Sequence, residues 1–217
     1  MATIVGAMLV RNEAAPDRYL RLVLANLSTY CDSIVVVDDG STDETASICA
    51  SVPSCRVFSR QSDGFWGTDE VGPRAALWSA ATSEAGPDGW ILVADADHEL
   101  VGITPSDLRA CCTSRIVTAW ALPLWDCWTE DGTMLRSDGY WQAHRYPRPW
   151  LFRAHPMPDY VPDWSSIDRK GVHTGHSPPD FPAVVGVLPG AAIRHWSYAK
   201  ATHRAKKVEQ YLKLAAP

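Results

Sequence analysis

Apolar side chains along this chain gather into short unbroken runs, and between the runs they recur at helical spacing. Residues 3–10 are apolar and β-branched and read as a strand buried on both faces. Leu20, Val23, Leu24 and Leu27 then recur three and four apart, which predicts an amphipathic helix over 16–29 with Pro16 at its start. Residues 33–37 repeat the buried-strand pattern and end in Asp38-Asp39-Gly40-Ser41-Thr42-Asp43. Gly40 permits a tight turn, and Ser41 or Thr42 is placed to cap a helix running to about residue 51. A third strand is expected at 55–59, a polar Gly-rich loop at 60–72, a helix at 73–84 and a turn at 86–89. The next apolar run, from Trp90, stops at Asp95-Ala96-Asp97, with Glu99 close behind.

Strands alternating with helices in this way predict an α/β fold, a mainly parallel sheet covered by helices on both faces. Beyond residue 101 the pattern loosens. A helix is expected at 105–114 and a strand at 115–124. Residues 125–190 are rich in Trp, Pro, Gly and His and predict only short strands, around 148–153, 170–174 and 184–188. Stretches of that kind are often binding loops on a rigid scaffold. A basic helix at 199–214 closes the pattern.

With 217 residues, 46% of them hydrophobic, the chain is long enough for a well-buried core and one domain is expected. The net charge of −5 hides an asymmetry. Residues 1–132 carry 8 Lys and Arg against 19 Asp and Glu, while 133–217 carry 12 against 6. A basic second part suits an anionic partner there. Aromatics interleave with its first cations, as at Tyr140, Trp141, Tyr146 and Trp150 beside Arg145, Arg148 and Arg153. Cys31, Cys49, Cys55, Cys111, Cys112 and Cys127 show no C-x-x-C pair and no zinc spacing, which predicts reduced structural thiols and a cytoplasmic location. The apolar N-terminus has no basic leader and is too short to span a bilayer, so it reads as a first strand, and no other segment could cross a membrane.

In sheets of this type ligands bind beyond the carboxyl ends of the strands. Asn12, Asp38, Asp39, Asp95 and Asp97 all fall at such ends. Extended chain alternates its side chains, so Asp95 and Asp97 are expected to point the same way. Two hard oxygen ligands there suit Mg²⁺ or Mn²⁺ shared with phosphates. The chain holds no G-x-G-x-x-G, no P-loop and no G-x-S-x-G elbow, which argues against a Rossmann dinucleotide site, a P-loop nucleotidase and an α/β-hydrolase.

Val35-Val-Val-Asp-Asp-Gly-Ser-Thr-Asp43 followed by Asp95-Ala-Asp97 resembles the family 2 nucleotide-sugar glycosyltransferases of GT-A fold. Arg11-Asn-Glu13, Gly72-Pro-Arg-Ala-Ala-Leu77 and His195-Trp-Ser-Tyr198 match further segments of that family in order. The resemblance covers residues 1–100 well and 190–214 fairly. It implies a nucleotide-sugar and metal-binding part over 1–100 and an acceptor part over 101–217. It places a nucleoside-diphosphate sugar, UDP-linked, against Val10, Arg11, Asn12, Glu13, Asp38, Asp39, Gly40, Arg74, Asp95 and Ala96. A Mn²⁺ or Mg²⁺ ion would be held by Asp95, Asp97 and His195, with Asp97 the better direct ligand and His173 with His176 a competing pair. An inverting transfer also needs a base. Asp126 is the first candidate, because its apolar neighbours Trp125 and Trp128 favour a carboxylate that takes up a proton, and Glu130 and Asp138 are alternatives. The acceptor stays open between an anionic glycan and a nucleic acid bearing a hydroxylated base. A nucleotidyltransferase and a non-catalytic nucleotide-binding module are the competing classes.

Overall fold

A computed structural model describes residues 2–62, 70–139, 141–165 and 175–214. Strand β1 (Ile4–Val10) lies between β2 (Ser33–Asp39) and β4 (Trp90–Asp95), and β3 (Cys55–Arg60) flanks β2, all parallel. The seven-stranded sheet runs β10-β6-β9-β4-β1-β2-β3, where β6 is Ala119–Leu122, β9 is Arg148–Arg153 and β10 is Val185–Val187. Strand β9 is antiparallel to both β4 and β6, whereas β10 is parallel to β6, so the sheet is mixed but mainly parallel. The expected strand at 170–174 lies outside the described residues.

Alternation along β1 divides the core. Ile4, Met8 and Val10 pack with Leu20, Val23, Leu24 and Leu27 of α1 (Leu20–Tyr30) on one face. Val5, Ala7 and Leu9 pack with Leu77, Trp78 and Ala81 of α3 (Val71–Ala85) on the other. Each fully buried Leu or Met contributes about 1.5–3 kcal/mol, so helices on both faces follow from two apolar sheet faces. Helix α2 (Thr45–Ala50) and α4 (Pro105–Cys111, with Thr104 accepting at its N-terminus from the Asp107 amide) add Ile48, Cys49 and Leu108 to the α1 side.

Several boundaries differ from the sequence pattern. Helix α1 starts at Leu20, not at Pro16, which sits in a turn closed by Arg18 N–H to the Ala15 carbonyl, 2.9 Å. That stretch is tied instead to distant partners, Ala14 N–H to Asp43 (3.1 Å) and Asp17 to His203 (2.9 Å). Neither Ser41 nor Thr42 caps α2. Ser41 turns back to Asp38, and Asp43 accepts from the Thr45 amide at 3.0 Å. The strand expected over 115–124 is shorter, and after Pro123 the chain crosses into a second sheet.

That second sheet, in the order β5-β11-β7-β8, comprises β5 (His98–Val101), β11 (Ala192–His195), β7 (Leu124–Cys127) and β8 (Leu135–Arg136). Strand β5 starts one turn after β4 and pairs antiparallel with β11, setting His98 opposite His195. Strand β11 runs parallel to β7, setting His195 opposite Asp126. Helix α5 (Ala201–Leu214) follows β11 after a short helical turn at Trp196–Tyr198.

Candidate active site

The carboxyl ends of β1 and β2 are bonded into one unit. Asn12 has a positive φ of 54°, a conformation that Asn tolerates better than most residues. Its amide donates to Ser41 Oγ at 2.9 Å and its side-chain carbonyl accepts from the Thr42 amide at 2.8 Å. Glu13 N–H donates to Thr45 Oγ1 at 2.7 Å. Gly40 also has a positive φ, and a Cβ there would meet the Ser62 amide nitrogen at 2.9 Å.

The two neighbouring acids have different surroundings. Asp38 accepts from the Ser41 amide and hydroxyl, as an acid does that shapes its own turn. Asp39 is fully buried and is met by two guanidiniums, Arg60 in direct hydrogen bond and Arg11 at 3.6 Å. A carboxylate so buried requires such partners.

Asp95 and Asp97 both approach His98, though not by alternation along one strand. Strand β4 ends at Asp95 and the chain turns through Ala96 and Asp97, so the alternation of extended chain stops one residue too early. Asp95 Oδ1 accepts from Arg74 Nη2 at 3.0 Å, and its Oδ2 lies 3.4 Å from His176 Nε2. Asp97 Oδ2 takes the Ser197 hydroxyl and lies 3.4 Å from His195 Nε2. His98 stands between the two acids, Nδ1 at 3.8 Å from Asp95 and Nε2 at 3.7 Å from Asp97.

Arg74 is buried on α3, where its Nε and Nη2 reach Glu70 and Nη2 also reaches Asp95. Its Nη1 is buried and has no hydrogen-bond partner among the described residues. A buried donor left unpaired costs about 1–3 kcal/mol, so this nitrogen is suited to an incoming acceptor oxygen. Arg74 is thus a buried, ion-paired residue and not a solvated one on the helix surface.

His195 has both ring nitrogens engaged. Its Nδ1 lies 2.7 Å from Asp126 Oδ1 and its Nε2 faces Asp97. Burial alone would push this imidazole down, but Asp97 and the Asp126 hydrogen bond outweigh it and lift its pKa to about 9. With Nδ1–H held on Asp126, loss of the Nε2 proton leaves a lone pair facing Asp97, the arrangement by which carboxylates orient metal-binding histidines. An imidazole nitrogen and a carboxylate oxygen suit Mn²⁺ somewhat better than Mg²⁺. His98 is the opposite case, since burial drives its pKa down to about 4 despite both acids. Its Nδ1 accepts from the Asp95 amide at 3.2 Å, which leaves the proton on Nε2, toward Asp97.

These groups line one open cleft of about 840 Å³, together with Val10, Arg11, Glu13 and Ala96 on one side and Trp141, Tyr146, Arg148, Tyr198 and Lys207 on the other. Glu13 is lifted to about 7, by burial first, with Arg18 opposing and the carboxylates of Asp97, Asp43 and Asp95 adding to the rise. Asn12, Asp38, Asp39 and Gly40 stand behind this lining. Of the three base candidates only Asp126 reaches the cleft, and there it is bound to His195. Glu130 is exposed outside the lining, and Asp138 is exposed and paired with Arg136. His176, one of the competing metal pair, is half-buried beside Asp95, while His173 lies outside the described residues. His98 and Ser197 were not singled out. Both sit inside motifs already marked, one residue after Asp97 and two after His195.

The model of glycosyl transferase family 2 matches residues 8–102. This segment runs from β1 through β5 and so holds Arg11, Asp39, Arg74, Asp95, Asp97 and His98, while Asp126, His176 and His195 come from beyond it. Among curated proteins, the uncharacterised protein Rv3786c of Mycobacterium tuberculosis is 29% identical over 206 residues, which is 91% of this chain and 47% of that protein. A TPR repeat-containing protein of Synechococcus elongatus is 32% identical over 110 residues, 51% of this chain and 24% of that protein. The chain thus spans about half the length of the mycobacterial relative. Among solved structures, S. aureus TarS aligns over 99% of this chain and 40% of its own, with a TM-score of 0.57 and 16% identity. TarS 1–349 aligns over 90% and 60%, with a TM-score of 0.57 and 18% identity. This likeness concerns the fold, which is of GT-A type. Among the described residues no helix is long and apolar enough to cross a membrane.

Proposed function

We propose that this site transfers a sugar from a nucleoside-diphosphate sugar, UDP-linked, to a hydroxyl of an anionic acceptor, with inversion at the anomeric carbon and a bound Mn²⁺ or Mg²⁺. The observation that carries the reading is the convergence, in one cleft, of the Asp97–His195–Asp126 chain with Arg74, whose Nη1 has no hydrogen-bond partner among the described residues. Asp97 and His195 would hold the cation, and Ser197 and Asp126 would fix their orientation. When bound, such an ion neutralises charge on the departing nucleoside diphosphate.

Arg74 is fixed by Glu70 and Asp95 and offers Nη1 to a phosphate or sugar oxygen, a preorganised donor where charge develops. Arg11, beside Asp39, lines the cleft at the nucleotide end. The acceptor oxygen attacks the anomeric carbon as the bond from that carbon to the phosphate oxygen breaks. The acceptor's proton passes to a base, and the bonding electron pair leaves with the diphosphate. Asp126 acts through His195 as a positioning residue. Negative charge on the acceptor is supported by the far rim, where Arg148 and Lys207 flank Tyr146, Trp141 and Tyr198.

TarS, whose fold this chain shares, is described in complex with UDP and with UDP-GlcNAc, which makes uridine nucleotides the first probes. Calorimetry with UDP, GDP and UMP, each with and without Mn²⁺, tests the reading. The expected result is Mn²⁺-dependent UDP binding that Asp97→Asn weakens at least tenfold. No nucleotide binding under any of these conditions overturns the proposal.

A further inference from the structure

His98 meets an acid on each edge of its ring. On the Nδ1 edge, Asp95 Oδ2 is 3.8 Å away, and His176 Nε2 stands 3.4 Å from that same oxygen. The donor atoms of Asp95, His98 and His176 all lie within 4.8 Å of one another. The transfer reading uses neither His98 as a ligand nor His176 at all. We propose that Asp95, His98 and His176 form a second divalent-metal site, separate from Asp97 and His195, that takes a borderline transition cation of the Zn²⁺ or Co²⁺ kind.

The donor set carries the choice of ion. Two imidazole nitrogens and one carboxylate oxygen are a three-ligand set that leaves a fourth position open for water, and it disfavours Mg²⁺, which prefers all-oxygen surroundings. Ligands roughly 2.0–2.2 Å from a tetrahedral cation lie roughly 3.3–3.6 Å apart, so 3.4 and 3.8 Å need only small adjustments.

The surroundings hold these side chains in place. Trp150 is buried against both histidines, its ring tilted on His176 at 4.4 Å and edge-on to His98 at 4.9 Å. Arg74 binds Asp95 through Oδ1 and leaves Oδ2 to the histidines. The amide of Asp95 reaches His98 Nδ1 at 3.2 Å, a long bond that a cation would replace. Metal on Nδ1 leaves Nε2–H to donate toward Asp97 Oδ1, so the two sites are compatible and linked through one ring. A ligand set from β4, β5 and the loop at 175–177 would also tie that loop to the sheet.

The test uses Co²⁺, whose visible absorption reports low coordination number and nitrogen ligation, without any nucleotide. His195→Gln disables the first site, and this variant is expected to bind one equivalent of Co²⁺ with a visible band. Adding His176→Gln should weaken that binding at least tenfold and remove the band. In the otherwise unchanged protein, His176→Gln alone should remove one of two bound equivalents, counted by mass spectrometry under non-denaturing conditions, with circular dichroism confirming the fold. Binding in His195→Gln that survives His176→Gln unchanged, or no Co²⁺ binding in folded His195→Gln, overturns the proposal. Because no nucleotide is present, the outcome is independent of whether the transfer reading stands.

Discussion

Asp126 separates two accounts of the site, and replacing it decides between them. Its carboxylate is 6% exposed and lies 2.7 Å from His195 Nδ1, so its nearest partner is the imidazole and not the open cleft. If it orients His195, removing it acts on metal affinity. Losing such an outer partner typically costs 10–100-fold, or about 1.4–2.8 kcal/mol. Asp126→Asn keeps an acceptor oxygen for Nδ1–H and should fall near the tenfold end. Asp126→Leu removes the acceptor, frees the ring to take the other tautomer, and should approach a hundredfold. A general base would behave otherwise, with turnover falling about 10²–10⁴-fold and metal affinity unchanged. The assay is a Mn²⁺ titration followed by the electron paramagnetic resonance signal of the free ion, at saturating UDP, with circular dichroism confirming the fold. Mn²⁺ affinities within twofold of the unsubstituted protein in both variants would refute the orienting role.

Four further outcomes follow from the packing and the ion pairs. Gly102 has a φ of +77°, and a Cβ there would sit 2.1 Å from the Gly190 carbonyl oxygen where β5 and β11 meet. Gly102→Ala should lower the melting temperature and also weaken Mn²⁺ binding by spreading the strands that carry His98 and His195. Gly86→Ala, with φ 72°, ψ −176° and open space around it, should cost only the backbone conformation, about 1–3 kcal/mol, and leave Mn²⁺ affinity alone. Trp90 is fully buried and donates Nε1–H to the Cys112 carbonyl at 2.9 Å, so Trp90→Phe should lose about 2 kcal/mol in urea denaturation. Burial raises the Asp32 carboxyl, but the two Arg109 hydrogen bonds and the Ile4 amide outweigh it and hold it below its ordinary 3.8. A depressed acid stabilises the fold above its unfolded pKa and loses that contribution as pH falls through the folded value. The melting-temperature deficit of Asp32→Asn should therefore be present at pH 6 and shrink below pH 3.8, and a deficit that grows with acid would contradict the pairing.

The first hundred residues were legible because their signals are local. An unbroken apolar run such as 3–10 can satisfy both faces of a sheet only by lying in its middle, and the acids that end such runs must then crowd one edge. The helix starts were not legible, because the stretch around Pro16 is tied through Ala14 to Asp43 and through Asp17 to His203, and the Ser41 hydroxyl is taken by Asp38 and by the distant Asn12 amide. The strand alternation expected to carry both Asp95 and Asp97 stops at Asp95 for a related reason. The strand ends at Asp95 so that β5 can turn back and pair with β11, a partner nearly a hundred residues away. His98 carried a readable hint, since His98 and Leu100 alternate with Glu99 and Val101 as a half-buried strand does. For His176 no such hint existed, because its place depends on stacking against Trp150.

The charge asymmetry changes meaning once the partners of the cations are known. Arg136 pairs with Asp138 and lies over Trp128, and Arg204 donates to the carbonyls of Trp128, Tyr198 and Ala199. Arg153 donates to the Ser114 carbonyl and covers Trp90, while Lys200 reaches the Asp17 carbonyl and the Tyr19 ring. These cations hold the second half of the chain together and stack on the tryptophans clustered there, so the excess of basic residues does not by itself indicate an anionic partner. What remains for one is narrower. Arg145 and Arg148 are exposed without an ion pair among the described residues, and Lys207 lies over Tyr198 at 4.7 Å on the cleft wall. If the proposed acceptor is anionic, Arg148 and Lys207 are the cations on the cleft lining beside Tyr146 and Trp141 that would meet it, and its binding should weaken with salt only as far as about two contacts allow.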